Sequence, residues 1–231
     1  MNFRAVIFDL FGTIVDGFAA SSGGYQEQFC AALAVSNDQL APHWRDLTEW
    51  RTLGEFQTVE ASIESLCDLI GTKVTAGQIL KAVETRLSLT RHALKPKLDA
   101  IATFEGLKDA GLRLGLLSNC SIEIPIVWPE TEFAKMFDAA VFSSRERIKK
   151  PAAEMYQLIC ERLGVAAKEC MYVADGENFE LAAAANVGMH PVLIRNNGSD
   201  NTKEVLREAR EWTGAAVSQL ADLLTLPGIA K

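Results

Sequence analysis

The chain has 231 residues, of which 48% are hydrophobic and 23% charged, with a formal net charge of −7 and an isoelectric point near 5.1. This length allows a sizeable buried core, and the negative charge argues against nucleic acid as a partner. It does not exclude a small anionic substrate, because one lysine or helix N-terminus can reverse the charge locally. No run of about 18 apolar residues occurs, so no membrane span is expected.

Cysteine usage favours a reducing compartment. The five cysteines are odd in number and scattered, and they form neither a CxxC pair nor a cluster with histidine. The apolar part of the N-terminus is too short for a signal peptide. We therefore expect free thiols and a cytoplasmic location, and the oligomeric state is left open.

Short apolar runs along the chain predict buried parallel strands. In chain order they are Arg4–Phe8, Leu112–Leu117, the weaker Ala139–Phe142, Met171–Ala174 and Pro191–Ile194. Helical patterns lie between them, at Leu98–Ala110, Met155–Leu163 and Phe179–Val187. This alternation predicts an α/β fold with a doubly wound parallel sheet, whose site lies at the carboxyl ends of the strands.

The alternation is interrupted between residues 17 and 92. Apolar residues there recur three and four apart, as in Ile63, Leu66 and Cys67, and no strand pattern occurs. We interpret residues 17–92 as an inserted helical domain over the sheet. Residues 1–16 and 93–231 then form the core domain.

Polar residues follow the predicted strands at the edge where a site is expected. They are Asp9 and Thr13 after the first strand, Ser118 and Asn119 after the second, Lys150 before a helix, and Asp175 and Glu180 after the fourth strand. Each has an ordinary structural interpretation, such as helix capping or a solvated charge. Their combination at neighbouring strand ends favours one shared site.

The chemistry of this set is nucleophilic displacement on an anionic substrate. Asp9 is the predicted nucleophile, forming a covalent ester. Ser118 would donate a hydrogen bond to the transferring group, and Lys150 would keep Asp9 ionised. Asp175 and Glu180 add carboxylates that repel unless a cation lies among them, and oxygen ligands of this kind suit Mg²⁺.

Four ordered segments, F-D-L-F-G-T, L-L-S-N, K-K-P and V-A-D-G-E-N-F-E-L, resemble the motifs of the haloacid dehalogenase-like hydrolase superfamily. The resemblance extends over the whole chain, including the insertion after the first motif. It implies an aspartyl-enzyme mechanism, a Rossmann-like core and a mobile helical cap. It also places Thr13, Ser118, Asn119 and Lys150 with Asp9 in the catalytic set.

The first motif departs from the phosphatases of this superfamily. They carry D-x-D, whose second aspartate moves protons, whereas this chain has Phe11 there. The superfamily's dehalogenases have an aromatic residue at this point, since halide leaves without protonation. Trp44-Arg45 is similar in placement to a dehalogenase tryptophan–arginine pair, so Arg45 and Phe11 are candidate substrate-binding residues.

The fourth motif favours a phosphatase instead. Asp175 with Glu180 five places on is similar to the metal-binding, phosphatase-like form, whereas dehalogenases have serine there and need no metal. We therefore predict Mg²⁺ bound by Asp9, the Phe11 carbonyl, Asp175 and Glu180.

Three functions are compatible with these motifs. The favoured one is a Mg²⁺-dependent phosphatase acting on a small phosphorylated metabolite, with a proton donor such as His43 or His92 supplied by the cap. The alternative is a metal-independent 2-haloacid dehalogenase. The third is a non-catalytic binding module on the same fold.

Overall fold

The computed structural model describes residues 2–18, 25–195 and 207–229. Its centre is one sheet of six parallel strands in the order β3-β2-β1-β4-β5-β6. The strands are β1 (Ala5–Phe8), β2 (Arg113–Ser118), β3 (Ala139–Phe142), β4 (Cys170–Ala174), β5 (His190–Ile194) and β6 (Ala216–Val217). The predicted α/β class with a parallel sheet is therefore confirmed.

The first five strands lie within one residue of their predicted bounds. β6 was not predicted, because it contains only two residues and lacks an apolar run. It pairs with β5 at the sheet edge through Leu193–Ala216 and Ile194–Val217.

Helices cover both faces of the sheet. Alternate residues of β1 supply the two cores: Val6 and Phe8 pack on one side, and Ala5 and Ile7 on the other. This two-sided burial explains why the strands are continuously apolar. The helices outside the insertion are α6 (Ala100–Asp109), α7 (Glu123–Val127), α8 (Ser143–Glu146), α9 (Ala153–Leu163), α10 (Glu180–Asn186) and α11 (Arg207–Glu211).

The helical insertion lies between β1 and β2, as predicted, and we call it the cap. It contains α1 (Tyr25–Leu33), α2 (Asn37–Asp46), α3 (Thr48–Thr52), α4 (Val59–Ile70) and α5 (Ala76–Ala93). Its core is separate from those of the sheet and includes Leu40, Ile63 and Leu66. The bounds 17–92 stay a prediction, and α5 continues one residue beyond them.

Sequence signals at the helix ends explain where the longer cap helices begin and stop. Thr58 accepts a hydrogen bond at the start of α4, and Gly71 ends that helix in the left-handed conformation, with a φ of 75°. Thr75 and Gln78 form a capping box at the start of α5. Among the described residues, no helix combines the length and apolarity that crossing a bilayer requires.

Ion pairs join the cap to the core domain. They are Glu49–Lys149, Glu55–Arg147, Arg86–Glu123 and Arg91–Glu130. The backbones also approach closely at Gly54, where an added Cβ would lie 1.8 Å from the Ser144 carbonyl oxygen. These contacts hold the cap over the carboxyl ends of the strands.

Candidate active site

Asp9 follows the last residue of β1 and is only 6% exposed. Its backbone N–H continues the sheet pairing by donating to the Val173 carbonyl over 2.9 Å. The Thr13 hydroxyl donates to Asp9 Oδ2 over 3.1 Å, and Lys150 Nζ lies 2.5 Å from Asp9 Oδ1. Both carboxylate oxygens are thus held, which fixes the orientation of the side chain.

Lys150 connects three of the predicted site residues, namely Asp9, Asn119 and Glu180. Besides Asp9, its ammonium contacts Glu180 Oε2 at 2.6 Å and the Tyr172 hydroxyl at 3.2 Å. Asn119 binds the Lys150 backbone in both directions, accepting from its N–H over 2.8 Å and donating to its carbonyl over 3.0 Å. The Asn119 amide therefore acts as a positioning group for Lys150.

Asp175 and Glu180 lie on either side of the turn after β4. The Glu177 N–H donates to Asp175 Oδ1 over 3.1 Å and to Glu180 Oε1 over 3.2 Å. The Tyr172 hydroxyl also donates to Glu180 Oε2, over 2.7 Å. This network holds the acidic residues of the fourth motif beside β1.

Two tyrosines belong to this network and were missed by the sequence analysis. Tyr172 is in β4, and Tyr156 in α9 donates from its hydroxyl to the Glu180 carbonyl over 3.0 Å. Both side chains are fully buried. A tyrosine inside an apolar run was the available signal, because a buried hydroxyl needs a polar partner.

The electrostatics of the site follow from burial. Burial raises the pKa of Asp9 to about 6, with repulsion from Glu180 adding to it and Lys150 opposing it. Burial, followed by repulsion from Glu180 and Asp9, raises the pKa of Asp175 to about 8. Burial acts to lower the pKa of Lys150, but attraction by Asp9 and Glu180 outweighs it and the pKa is raised. Three carboxylates therefore surround the buried Lys150 ammonium, and Lys97 also attracts Asp175 and Asp9.

The acidic cluster fits a divalent cation. Asp9, Asp175 and Glu180 each offer a carboxylate oxygen, and these oxygens lie within 4.8 Å of one another. Hard oxygen ligands and negative charge are what Mg²⁺ requires. The predicted fourth ligand, the carbonyl of Phe11, stays a prediction.

Ser118 ends β2 and is fully buried. Within the described residues its hydroxyl has no oxygen or nitrogen partner, and the Cys120 thiol is its neighbouring polar group. A buried hydroxyl without an oxygen or nitrogen partner is uncommon and is free to bind a ligand or water. The predicted contact of Ser118 with the transferring group stays a prediction.

Two cavities meet below the cap. The first, of about 270 Å³, is lined by Asp9, Lys150 and Glu180 and is called the nucleophile crevice. The second, of about 350 Å³, is lined by Arg51 and Arg86 and is called the arginine chamber. Phe11 lines both, and its ring lies 5.5 Å from that of Phe18.

Arg45 is not brought to either cavity. It is exposed at the end of α2, whereas Arg51 in α3 is 8% exposed and lines the chamber. The Arg51 guanidinium stacks on Trp44, 3.7 Å from the ring centroid. The chain contains two Trp-Arg pairs, at 44–45 and 50–51, and the chamber receives the tryptophan of the first and the arginine of the second.

The sequence contained a helical spacing that favours Arg51 over Arg45 as the arginine beside Trp44. Trp44, Thr48 and Arg51 are four and three residues apart, so that they lie on one helical face. Arg86 lacked such a signal, because it reaches the chamber from α5, far along the chain.

The two cap histidines lie outside both cavities. His43 Nδ1 is 3.7 Å from Asp46 Oδ2, and His92 contacts Tyr25 and Lys95. In this arrangement neither lines the crevice that contains Asp9.

Comparisons with known proteins agree with this fold. Residues 3–188 match the haloacid dehalogenase-like hydrolase family. A curated relative, (S)-2-haloacid dehalogenase 4A from Burkholderia cepacia, is 28% identical over 86% of this chain and 85% of its own length. Glyceraldehyde 3-phosphate phosphatase from Methanothermobacter thermautotrophicus is 25% identical over 98% of this chain and 99% of its own.

A solved structure of a dehalogenase has the same fold, with a TM-score of 0.65, 24% identity and coverage of 98% of this chain and 97% of the other. The family match spans most of the chain, from before β1 to the end of α10, and includes every strand-end residue described above. The chain therefore belongs to the haloacid dehalogenase-like hydrolases.

Proposed function

We propose that this hydrolase displaces halide from a carbon atom of a small organic acid, with Asp9 as the nucleophile. The observation that carries this proposal is Phe11. Its aromatic side chain, which cannot transfer a proton, lines the crevice beside Asp9. Halide leaves without a proton, whereas an alkoxide leaving group benefits from a general acid.

In the proposed first step, an Asp9 carboxylate oxygen attacks the carbon from the side opposite the halogen. The carbon–oxygen bond forms as the carbon–halogen bond breaks, and halide departs with the electron pair. Lys150, 2.5 Å from Asp9, keeps the nucleophile ionised in spite of its burial. Thr13 fixes the other carboxylate oxygen.

In the second step, water hydrolyses the ester. We assign the proton of this water to the ionised form of Asp175, whose carboxylate lies within 4.8 Å of that of Asp9, and since the pKa of Asp175 is about 8 this step should speed up as the pH rises towards that value. The products are an alcohol, a halide ion and a proton, and Asp9 is regenerated. Glu180 is engaged with Lys150 and Tyr172 and positions the ammonium.

The comparisons support this alternative better than the phosphatase first expected from the sequence. A curated relative at 28% identity is a dehalogenase, whereas the phosphatase relative is 25% identical. The proposed partner is a small organic anion, and the five buried free cysteines are compatible with the expected cytoplasmic location.

The Asp9, Asp175 and Glu180 cluster favours a second candidate, a Mg²⁺-dependent phosphatase. A magnesium ion there would neutralise charge on a transferring phosphoryl group. Asp9 would again be the nucleophile, and Lys150 and Ser118 would bind phosphoryl oxygens. Without a proton donor at position 11, this reaction loses about 10²- to 10⁴-fold in rate.

The test measures chloride release from (S)-2-chloropropionate in EDTA and phosphate release from an activated aryl phosphate in Mg²⁺. We expect chloride release that Asp9→Asn abolishes and EDTA does not affect. Phosphate release alone would establish the second candidate instead. If neither product forms and Asp9 traps no beryllofluoride, the chain is a non-catalytic binding module.

A further inference from the structure

The nucleophile and the arginines line different cavities. Asp9 lines the nucleophile crevice and not the arginine chamber, whereas Arg51 and Arg86 line the chamber and not the crevice. The two cavities share wall residues, including Phe11 and Thr48. A ligand that reaches both Asp9 and the arginines must therefore pass this shared wall.

Arg51 is a buried cation with unused bonding capacity. Its Nη2 donates to the Trp44 carbonyl over 3.0 Å and to the Thr48 hydroxyl over 3.3 Å. It forms no salt bridge within residues 2–18, 25–195 and 207–229, and its Nε has no hydrogen-bond partner there. Buried charged groups ordinarily have both, so this guanidinium is suited to bind an anion.

The charge balance of the chamber indicates the charge of an anion that would bind there. Arg86 pairs with Glu123 at 2.5 Å, and Glu123 is 2% exposed. Glu123 balances one of the two guanidinium groups, which leaves one positive charge. Burial and the neighbouring Arg86 lower the pKa of Arg51 to about 10, so it stays charged at neutral pH. A monoanion such as a carboxylate matches this balance, and the planar guanidinium suits its geometry.

The remaining walls of the chamber combine apolar and aromatic side chains with polar ones such as Gln26, Thr52 and Asn119. Phe11, Phe18 and Trp44 line it together with Leu89 and Ile124. The volume of about 350 Å³ lies within the range of small-molecule sites. A two- or three-carbon acid would leave most of these walls uncovered, whereas an aromatic ring would contact them.

We infer that the substrate is an extended arylalkyl carboxylic acid. Its reacting carbon lies beside Asp9, its ring packs on Phe11, Phe18 and Trp44, and its remote carboxylate pairs with Arg51 in the arginine chamber. The position of the reacting carbon rests on the proposed function of Asp9. The binding of the remote carboxylate by Arg51 does not depend on that function and can be tested separately.

A probe with this arrangement is 4-(chloromethyl)phenylacetate. Asp9 would attack its benzylic carbon as the carbon–chlorine bond breaks and chloride leaves with the electron pair. Water would then hydrolyse the ester to 4-(hydroxymethyl)phenylacetate and a proton. No other reactant is needed.

The binding experiment is independent of this chemistry. Isothermal titration calorimetry compares unreactive 4-methylphenylacetate with its neutral amide and with propionate. We expect the arylacetate to bind at least tenfold more tightly than either. Arg51→Gln should remove the advantage over the amide, and the exposed Arg45→Gln serves as the matched control that keeps it. Arg51→Lys retains the positive charge without the planar guanidinium, so it should bind the arylacetate a few-fold more weakly. This variant replaces Arg51→Gln if the glutamine variant does not fold.

The kinetic experiment compares chloride release from 4-(chloromethyl)phenylacetate and from (S)-2-chloropropionate. A preference for the aryl acid that Arg51→Gln removes supports both proposals. Chloride release together with equal binding of arylacetate, amide and propionate overturns the extended substrate and leaves dehalogenation standing. Arg51-dependent binding without chloride release supports the subsite and overturns dehalogenation. If the protein shows neither chloride release nor Arg51-dependent binding, both proposals are refuted.

Discussion

Lys150 Nζ lies between two buried carboxylates, 2.5 Å from Asp9 and 2.6 Å from Glu180. The ammonium is itself only 6% exposed, so solvent screens neither contact. One cation thus orients the proposed nucleophile and the acidic residue of the fourth motif together. Its removal leaves two buried negative charges without their partner.

Lys150→Met should therefore destabilise the fold and abolish activity. An uncompensated buried charge costs about 3–5 kcal/mol. The matched control is Lys149→Met, because Lys149 pairs with Glu49 at a site where both side chains are at least 36% exposed. That change should cost less than about 1 kcal/mol. Urea unfolding measures both, and equal losses would contradict the role given to Lys150.

Stability in EDTA should fall between about pH 4 and pH 8. Burial raises the pKa values of Asp9 and Asp175 from 3.8 to about 6 and about 8, so the folded state holds more protons than the unfolded state in this range. Their stabilising contribution is complete below pH 3.8 and is lost as the pH rises through the folded values. The raised pKa of Lys150 affects only alkaline pH.

The slope of this decrease is on the order of 1 kcal/mol per pH unit. Asp175→Asn should flatten it, whereas Glu177→Gln, at an exposed side chain on the same turn, should flatten it less, because Glu177 raises the pKa of Asp175 by less than burial, Glu180 or Asp9 does. Adding Mg²⁺ at pH 8 should restore stability to the wild type alone if the acidic cluster binds the ion. A pH-independent free energy of unfolding would show that the carboxylates are not coupled to folding.

Gly12→Ala should disrupt the site through a direct clash. Gly12 has a φ of 74°, and an added Cβ would lie 2.2 Å from Asp175 Oδ2. Gly71→Ala is the control, since its φ is 75° and no atom lies within 4 Å of the added Cβ. Both substitutions place a Cβ in the left-handed region, which costs roughly 1–2 kcal/mol. Only Gly12→Ala should also lower turnover, by about 100-fold, because it displaces Asp175. Equal turnover in the two variants would argue against a catalytic position for Asp175.

Phe11→Asp should shift the balance between the two candidate functions. The new carboxylate would supply a proton-transfer group in the crevice, which is worth about 10²- to 10⁴-fold for a poor leaving group. We expect Mg²⁺-dependent phosphate release to rise and chloride release to fall. Phe11→Asn, which has a similar size and no ionisable group, is the control. A rise in the asparagine variant as well would mean that the effect is not proton transfer.

The sequence predicted the sheet and its strand-end residues well, because buried parallel strands are continuous apolar runs. The Trp-Arg pattern alone did not distinguish Arg45 from Arg51, since each follows a tryptophan, and the helical spacing of Arg51 from Trp44 was the signal that separates them. The contribution of Arg86 depends on the long-range approach of α5 to α7. β6 was not predicted because a strand of two residues shows no hydrophobic periodicity.

The placement of Phe11 has a consequence for kinetics. Under the proposed displacement, the first half-reaction moves no proton, and only hydrolysis of the ester does. Deuterated solvent should therefore slow the second half-reaction and leave the initial burst of halide unchanged. The size of the solvent isotope effect on steady-state turnover would then report which half-reaction limits the enzyme, so that a single aromatic side chain makes the two steps separable.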